Sequence, residues 1–176
     1  MRIVEATAAD FEDVLSVERQ AFGEDDVADL VRDLVGDPSA RPLLSLLARD
    51  HERAVGHVMF TAARLEGTLR EVSVSILAPL AVVPDAQRRG IGGHLIEEGV
   101  RRLSESGVEL VFVLGHPGYY PRHGFAPASR LGLAAPYPIS PEEAWMVRAL
   151  RPGLLGCVHG VVTCADAMNR PEHWRE

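Results

Sequence analysis

The sequence predicts a mixed α/β fold in which helices flank a sheet, and the order of apolar patterns along the chain carries this prediction. A strand pattern comes first, two helical patterns follow, and several strand patterns precede a long helix and a further strand. This order is typical of a mixed sheet with helices on its faces. Of the 176 residues, 47% are hydrophobic and 24% are charged, which suits one core. We therefore expect one domain over residues 1–176.

The first elements are a strand and two helices. "RIVEA" (2–6) has the apolar residues of a short strand, and residues 7–22 begin with polar cap residues and then repeat apolar side chains at helical spacing. A second helix over residues 24–38 has its apolar residues on one side and ends at Gly36 to Pro38. Its other side is acidic, and the carboxylates of this segment are Glu24, Asp25, Asp26, Asp29, Asp33 and Asp37.

Three extended segments follow, in "LLSLLARD", "RAVGHVMFTAARLE" and "EVSVSILAPLAVVP". Pro79 lies inside the third segment, and proline has no N–H group to donate to a sheet ladder. We therefore expect a bulge there, or a neighbouring strand that has already diverged. Either arrangement leaves backbone N–H and C=O groups over residues 80–83 unpaired on one side, where they are available to a ligand.

The remaining elements are a helix from about Arg88 to Gly107, a fully buried strand in "VELVFVLG", and a strand in "AWMVRAL". "GYYPRHGF" is too short and too punctuated for more than one helical turn. Residues 151–176 add a last strand in "GCVHGVVTCA" and a polar tail. We interpret both cysteines, Cys157 and Cys164, as small core residues, because their spacing matches no redox or metal motif.

Composition excludes several classes of partner. The formal charge of −7 argues against a nucleic-acid partner, because binding to phosphates requires a basic field. All 18 basic residues are arginine. The chain begins without the pattern of a secretory signal and has no run of about 18 apolar residues for a membrane span. Its histidines have no metal-ligand spacing. We expect a cytoplasmic protein without a metal, and the sequence leaves its oligomeric state open, a homodimer included.

The segment "DAQRRGIGGHL" (85–95) is the strongest chemical signal. Glycines at the start of a helix allow a ligand phosphate to approach the free N–H groups of the first turn, and Arg88 and Arg89 add positive charge beside them. The segment is neither a Walker loop, since it lacks the lysine and hydroxyl, nor a dinucleotide fingerprint, since Leu95 stands where that motif needs glycine. The alternative to a phosphate site is structural. In that case the glycines only allow the helix to pack tightly on the sheet, and the arginines form a solvated face.

This segment, together with the "LAVVP" strand end before it, resembles the acyl-CoA-binding motif of the GNAT family of N-acetyltransferases, which reads Q/R-x-x-G-x-G/A after a strand. "LGHPGYYPRHGFAPA" is similar to a later segment of the same family, and most similar to its small bacterial predicted acetyltransferases. The resemblance covers about residues 4–150. It implies a mixed, mostly antiparallel sheet with a splayed, bulged strand and flanking helices, and acetyl-CoA as the cosubstrate.

The resemblance also implies roles for individual residues. The backbone of Ala81, Val82 and Val83 would hold the pantetheine arm of acetyl-CoA and polarise the thioester carbonyl. An amine would attack the thioester directly in a ternary complex, and Tyr120 would protonate the departing thiolate as general acid, with Tyr119 as its packing partner. A core aromatic role is the alternative for Tyr120. The residues expected at the pyrophosphate are Arg88, Arg89, Gly90, Ile91, Gly92 and Gly93.

The general base stays unassigned. Many relatives carry a glutamate on the bulged strand, but "SILAPLAVV" contains no acid. The candidates are Glu24, Asp25, His57 and Glu71, and water is a further candidate, since it can carry the proton of an amine that arrives neutral. The missing glutamate also keeps a second function open, that of a non-catalytic acyl-CoA-binding module.

The acceptor is predicted only as a class, an amine of a small molecule or of a protein. The acidic segment from Glu24 to Asp37 lies where the family usually builds its acceptor pocket. It is either a solvated helix face or a surface that attracts a cationic acceptor such as a polyamine, an aminoglycoside-like compound or a protein amine.

Overall fold

The computed structural model describes residues 1–175 of the chain, and it has the predicted mixed architecture. The strands are β1 (Arg2–Glu5), β2 (Leu44–Asp50), β3 (Arg53–Glu66), β4 (Val74–Val82), β5 (Leu110–Leu114), β6 (Ala126–Pro127), β7 (Leu133–Ala134), β8 (Trp145–Ala149) and β9 (Gly160–Thr163). The helices are α1 (Phe11–Phe22), α2 (Asp26–Val35) and α3 (Ile91–Glu105), and short 3₁₀ turns lie between several of these elements.

The strands form a mostly antiparallel sheet, as predicted. Its main path runs β1-β2-β3-β4-β5-β8-β6, and β9 pairs with both β3 and β7. Along the main path only β4 and β5 are parallel neighbours. That parallel pair requires a crossover connection, and α3 provides it.

The predicted opening lies between β4 and β5. The two strands pair from Val74 to Leu77 only, whereas β4 continues to Val82. On its other edge β4 stays paired with β3, but the register shifts between the pairs Phe60–Leu77 and Val58–Leu80, so β4 carries the extra residue of a bulge. Beyond Leu77, β4 therefore has a neighbouring strand on one edge alone, which confirms the expectation drawn from Pro79.

Helices cover both faces of the sheet, and two adjacent residues of β3 show which helix lies on which face. A Cβ atom added to Gly56 would lie 3.0 Å from side-chain atoms of Ile91 and Leu95 of α3. The next residue, His57, contacts Glu18 of α1. Successive strand residues point to opposite faces, so α3 lies on one face and α1 on the other.

Three details differ from the sequence-based predictions. Helix α3 begins at Ile91 rather than near Arg88, because Arg88 (φ 64°) and Gly90 (φ 80°) adopt left-handed conformations that no helix can include. The last strand is shorter than predicted, and Cys157 is exposed in the turn before it while Cys164 is half-buried. The interpretation as a core residue was therefore wrong for Cys157, whereas Cys164 packs against the core. Phe22, the last apolar residue of the helical pattern over residues 7–22, is 46% exposed.

No helix within residues 1–175 combines the length and the apolar character that a membrane crossing requires.

Candidate active site

Two cavities meet at the opening between β4 and β5. The first, which we call the α3 groove, has a volume of about 840 Å³ and lies between the end of β4, the start of α3 and the turn at residues 119–123. The second, the α2 cavity, has a volume of about 940 Å³ and lies between α2, the ends of β4 and β5, and residues 168–175. Leu80 and Tyr119 line both cavities, so the groove and the cavity adjoin at these two side chains.

The floor of the α3 groove is the N-terminus of α3. His94 is the first residue of the helix whose N–H group has an intrahelical acceptor, the Gly90 carbonyl at 3.1 Å. The N–H groups of Ile91, Gly92 and Gly93 precede it and lie where an anion is stabilised by the helix dipole. A Cβ atom on Gly92 would lie 2.5 Å from the Tyr119 hydroxyl oxygen, so a larger residue there would displace Tyr119.

The two arginines before the helix have different surroundings. Arg88 lines the α3 groove and, within residues 1–175, its guanidinium makes no ion pair. Arg89 points elsewhere and donates a hydrogen bond to Asp50 at 3.1 Å. Arg122 also lines the groove, with its guanidinium 5.2 Å from the centre of the Tyr119 ring. The positive charge of the groove therefore comes from Arg88 and Arg122.

The three strand residues expected to hold the pantetheine arm do not share one orientation. Val82 lines the α3 groove together with Leu80, whereas Ala81 and Val83 are buried and line neither cavity. The Val83 N–H group donates to the Val55 carbonyl of β3 at 2.9 Å. Backbone groups alternate along a strand, so Ala81, like Val83, directs its groups to β3, and the edge that faces the groove belongs to Leu80 and Val82.

Tyr120 lies at the mouth of the opening. It is 9% exposed and lines the α2 cavity, and its ring packs edge-on against Tyr119, with 5.1 Å between the ring centres. A Cβ atom on Gly115 would overlap the Tyr120 ring, so this ring rests on the backbone that directly follows β5. Tyr119 is less enclosed, and burial raises the pKa of its hydroxyl.

Of the four side chains considered as a base, Glu24 lines the α2 cavity and the other three do not. Asp25 accepts a hydrogen bond from Arg19 at 3.1 Å, and Glu71 is exposed outside both cavities. His116, which the sequence did not single out, also lines the α2 cavity. Its Nδ1 accepts the Gly118 N–H group at 3.0 Å, so the proton of a neutral ring is on Nε2, and His116 is a donor in this state.

His57, the fourth candidate, belongs to a buried network. Its Nδ1 lies 2.7 Å from Oε1 of Glu18 and its Nε2 lies 2.8 Å from Oγ of Ser45. The side chains of His57 and Glu18 are both 0% exposed. Burial raises the pKa of the Glu18 carboxyl, and the hydrogen bond from His57 opposes this rise. Oε2 of Glu18 is buried without a hydrogen-bond partner among residues 1–175, and no pattern in the sequence pointed to this pair.

One wall of the α2 cavity is acidic. Four carboxylates of the segment singled out in the sequence line it, namely Glu24, Asp26, Asp29 and Asp33. Asp25 and Asp37 do not. Part of the acidic segment therefore faces a cavity rather than open solvent alone.

The facing wall is the C-terminal segment, residues 165–175, which the sequence predicted only as a polar tail. Its Ala167 N–H group donates to Oδ2 of Asp37 at 2.9 Å, and this bond is the main cause that lowers the pKa of Asp37. Trp174 is 3% exposed and packs against Trp145, with 5.5 Å between the ring centres. Because both ends of the segment are anchored, its polar residues are held at the cavity. Those that line it are Arg170, Glu172, His173 and Arg175.

Residues 1–175 contain no cluster of three or more His, Cys, Asp or Glu side chains arranged to hold a metal ion.

Comparison with known proteins identifies the family. A model of the acetyltransferase (GNAT) domain matches residues 2–128. The Escherichia coli protein YjhQ, described as an uncharacterized N-acetyltransferase, is 49% identical over 162 residues, which are 90% of this chain and 88% of YjhQ. The crystal structure of the E. coli GNAT family N-acetyltransferase YhbS in complex with CoA has a TM-score of 0.87 at 30% identity and covers 96% of this chain and 92% of YhbS. A GNAT family acetyltransferase from Brucella melitensis in complex with acetyl-CoA has a TM-score of 0.75 at 26% identity, over 95% and 97% of the two chains. The fold, the glycine-rich turn and these relatives agree, and the chain belongs to the GNAT family of acetyltransferases.

Proposed function

We propose that the protein transfers the acetyl group of acetyl-CoA to an amine by direct attack in a ternary complex. The observation that carries this proposal is the junction of the two cavities at Leu80 and Tyr119, beside the opening between β4 and β5. A cofactor in the α3 groove would bring its thioester to the junction, and an acceptor in the α2 cavity would reach the same point from the other side. YhbS and the Brucella enzyme were crystallised with CoA and acetyl-CoA, which supports acetyl-CoA as the cosubstrate.

The chain offers matching groups for each part of acetyl-CoA. The pyrophosphate would lie on the N–H groups of Gly90 to Gly93, with Arg88 beside it. The pantetheine arm would run along the edge of β4 at Leu80 and Val82 that has no neighbouring strand, where its amides can pair with strand backbone. The Gln87 side chain lies at this edge, and its Nε2 donates to the Val82 carbonyl at 3.1 Å. Ala81, Val83 and Arg89 lie outside this contact set, because their backbone or side-chain groups are directed to β3 and Asp50.

The chemistry balances without a covalent enzyme intermediate. The amine nitrogen forms a bond to the thioester carbon, the tetrahedral intermediate collapses, and the carbon–sulfur bond breaks to release a thiolate. We propose that Tyr120 gives its hydroxyl proton to this thiolate. The nitrogen loses one proton, and Glu24 is the one of the four candidate bases that lines the acceptor side of the junction.

A thiol-release assay of the purified protein with acetyl-CoA and a panel of amines tests this function. We expect release of free CoA thiol with at least one amine, and acetyl-CoA alone should raise the Tm because it binds the folded state with a micromolar-range Kd. Binding without release for every amine would instead support the non-catalytic acyl-CoA-binding module. If millimolar acetyl-CoA produced neither heat in calorimetry nor a Tm shift, both functions would be excluded.

A further inference from the structure

The α2 cavity has walls of opposite charge that do not neutralise each other. Asp26 and Asp33 on α2 and Arg170 and Arg175 on the C-terminal segment make no ion pair with any partner within residues 1–175. Opposite charges within about 4 Å would form such a pair. The two walls are therefore too far apart to satisfy each other, and the space between them is open to a ligand.

The distribution of unpaired arginines supports this interpretation. Most arginines of the chain bind a carboxylate or a carbonyl, as Arg49 does with Asp10 and Asp13. Within residues 1–175, the arginines that make neither an ion pair nor a side-chain hydrogen bond are Arg64, Arg88, Arg122, Arg170 and Arg175. All but Arg64 line one of the two cavities.

The unpaired cations of the α2 cavity are held in place by the fold. Trp174, between Arg170 and Arg175, is buried, and its Nε1 donates to the Met168 carbonyl at 2.9 Å. Asp37, two residues beyond the last residue of α2, accepts a hydrogen bond from the N–H group of Ala167. The C-terminal segment is thus anchored next to the helix that carries the acidic wall.

Resting on the proposed function, we propose that the acceptor carries a carboxylate as well as its amine, in a molecule of the size of a short peptide. The cationic end is attracted by Asp26, Asp29 and Asp33. The carboxylate binds Arg170 and Arg175, on a wall that also carries one negative charge, that of Glu172. A cavity of about 940 Å³ is at the upper end of the range for sites that enclose drug-sized ligands, so it has room for a di- or tripeptide beside the thioester.

The test compares acceptors that differ only in the carboxylate. Acetyl transfer is measured with trialanine, with its C-terminal amide and with spermidine, for the wild type, for the double variant Arg170→Gln/Arg175→Gln and for the control Arg64→Gln. Arg64 is exposed, makes no ion pair within residues 1–175 and lies outside both cavities. We expect the wild type and the control to have a KM for trialanine about 5- to 10-fold below that for the amide. The double variant should show equal KM values and an unchanged Tm.

The outcomes separate this inference from the proposed function. Transfer to spermidine but to neither peptide, or equal KM values for both peptides in the wild type, would overturn the inference and leave the acetyltransferase function intact. A preference for trialanine that survives in the double variant would also overturn it. If no amine is acetylated, calorimetric titration of trialanine into the CoA-saturated protein decides. Binding weakened by the double substitution supports the inference, and absence of binding overturns it.

Discussion

The α3 groove and the α2 cavity are lined by different kinds of chemical groups. The groove presents backbone N–H groups, glycines and the free edge of a strand, and nearly all of its residues come from two short stretches, 80–97 and 119–123. The α2 cavity presents charged and aromatic side chains from four separate parts of the chain, ending with the segment 168–175. Backbone groups recognise a ligand that is always the same, whereas side chains can be exchanged without disturbing the fold. The groove therefore suits an invariant cofactor and the cavity suits a particular acceptor.

The largest expected effect lies at the junction. Tyr120→Phe keeps the ring and its packing but removes the proposed proton donor, so kcat should fall about 10²- to 10⁴-fold while the Kd of acetyl-CoA and the Tm stay close to wild type. Steady-state kinetics, calorimetry and thermal unfolding of the same preparation measure the three quantities. Tyr137→Phe is the control, since Tyr137 donates to Asn169 outside both cavities.

A core role for Tyr120 would give the reverse pattern, a lower Tm with turnover preserved. A fall of kcat in Tyr119→Phe but not in Tyr120→Phe would show that Tyr119, and not Tyr120, gives the proton to the thiolate.

The backbone character of the groove is tested by Gly92→Val. A Cβ atom there meets the Tyr119 hydroxyl oxygen at 2.5 Å and obstructs the approach of a phosphate to the helix N-terminus. We expect the Kd of acetyl-CoA to rise at least about 100-fold, by calorimetry, with the fold retained. In Gly36→Ala the new Cβ atom meets nothing nearer than 3.8 Å, and this variant should bind normally. Normal binding by Gly92→Val would show that the cofactor lies elsewhere.

The side-chain character of the α2 cavity is tested by replacing Asp26, Asp29 and Asp33 with lysine. We expect the KM of the acceptor amine to rise about tenfold at low ionic strength and less at high salt, while acetyl-CoA binding is unaffected. The control variant replaces Glu12, Glu66 and Glu142 with lysine, which changes the net charge by the same amount. These three residues are exposed and lie outside both cavities. Equal effects of the two triple variants would mean that the acidic side of α2 is only a solvated face and does not attract the acceptor.

The smallest expected effect concerns the buried pair beneath the site, Glu18 and His57. Because burial raises the pKa of Glu18 above its unfolded value of 4.5, the folded state binds a proton more tightly, and stability is lost as pH rises from 4.5 through the folded pKa. Glu18→Gln keeps the shape and cannot titrate. Its free energy of unfolding, relative to wild type, should therefore increase with pH over this window.

Chemical denaturation at several pH values measures this difference. A difference that is constant with pH would mean that the Glu18 carboxyl does not titrate above its unfolded pKa. The acceptor KM at a single pH should stay near wild type, since Glu18 lines neither cavity.

The two cavities also differ in how far the sequence predicts them. The glycine-rich turn, Pro79 and the tyrosine pair are local signals, and each lines one of the two cavities. Among the strand residues named from the sequence, Val82 lines the groove and Ala81 and Val83 do not. Leu80, which the sequence did not single out, lines it as well, because the bulge changes which backbone edge is free.

The far wall of the α2 cavity depends on contacts between distant parts of the chain. Ala167 bonds to Asp37 and Trp174 packs against Trp145, and neither contact leaves a periodic pattern in the sequence. A buried tryptophan in an otherwise polar segment, "PEHW", is the one local sign that this segment returns to the core. The Glu18–His57 pair had no such sign, since Glu18 stands between Val17 and Arg19 at an ordinary helix position.

Tyr119 has a consequence for the affinities of the two ligands. Its side chain lines both cavities and its hydroxyl lies against Gly92, so a cofactor that moves this ring also reshapes the acceptor's surroundings. Thermodynamic reciprocity then requires the acceptor to change the affinity for the cofactor by the same factor. A cofactor that displaces this one ring would thereby make the two occupancies interdependent, and each ligand would report on the presence of the other.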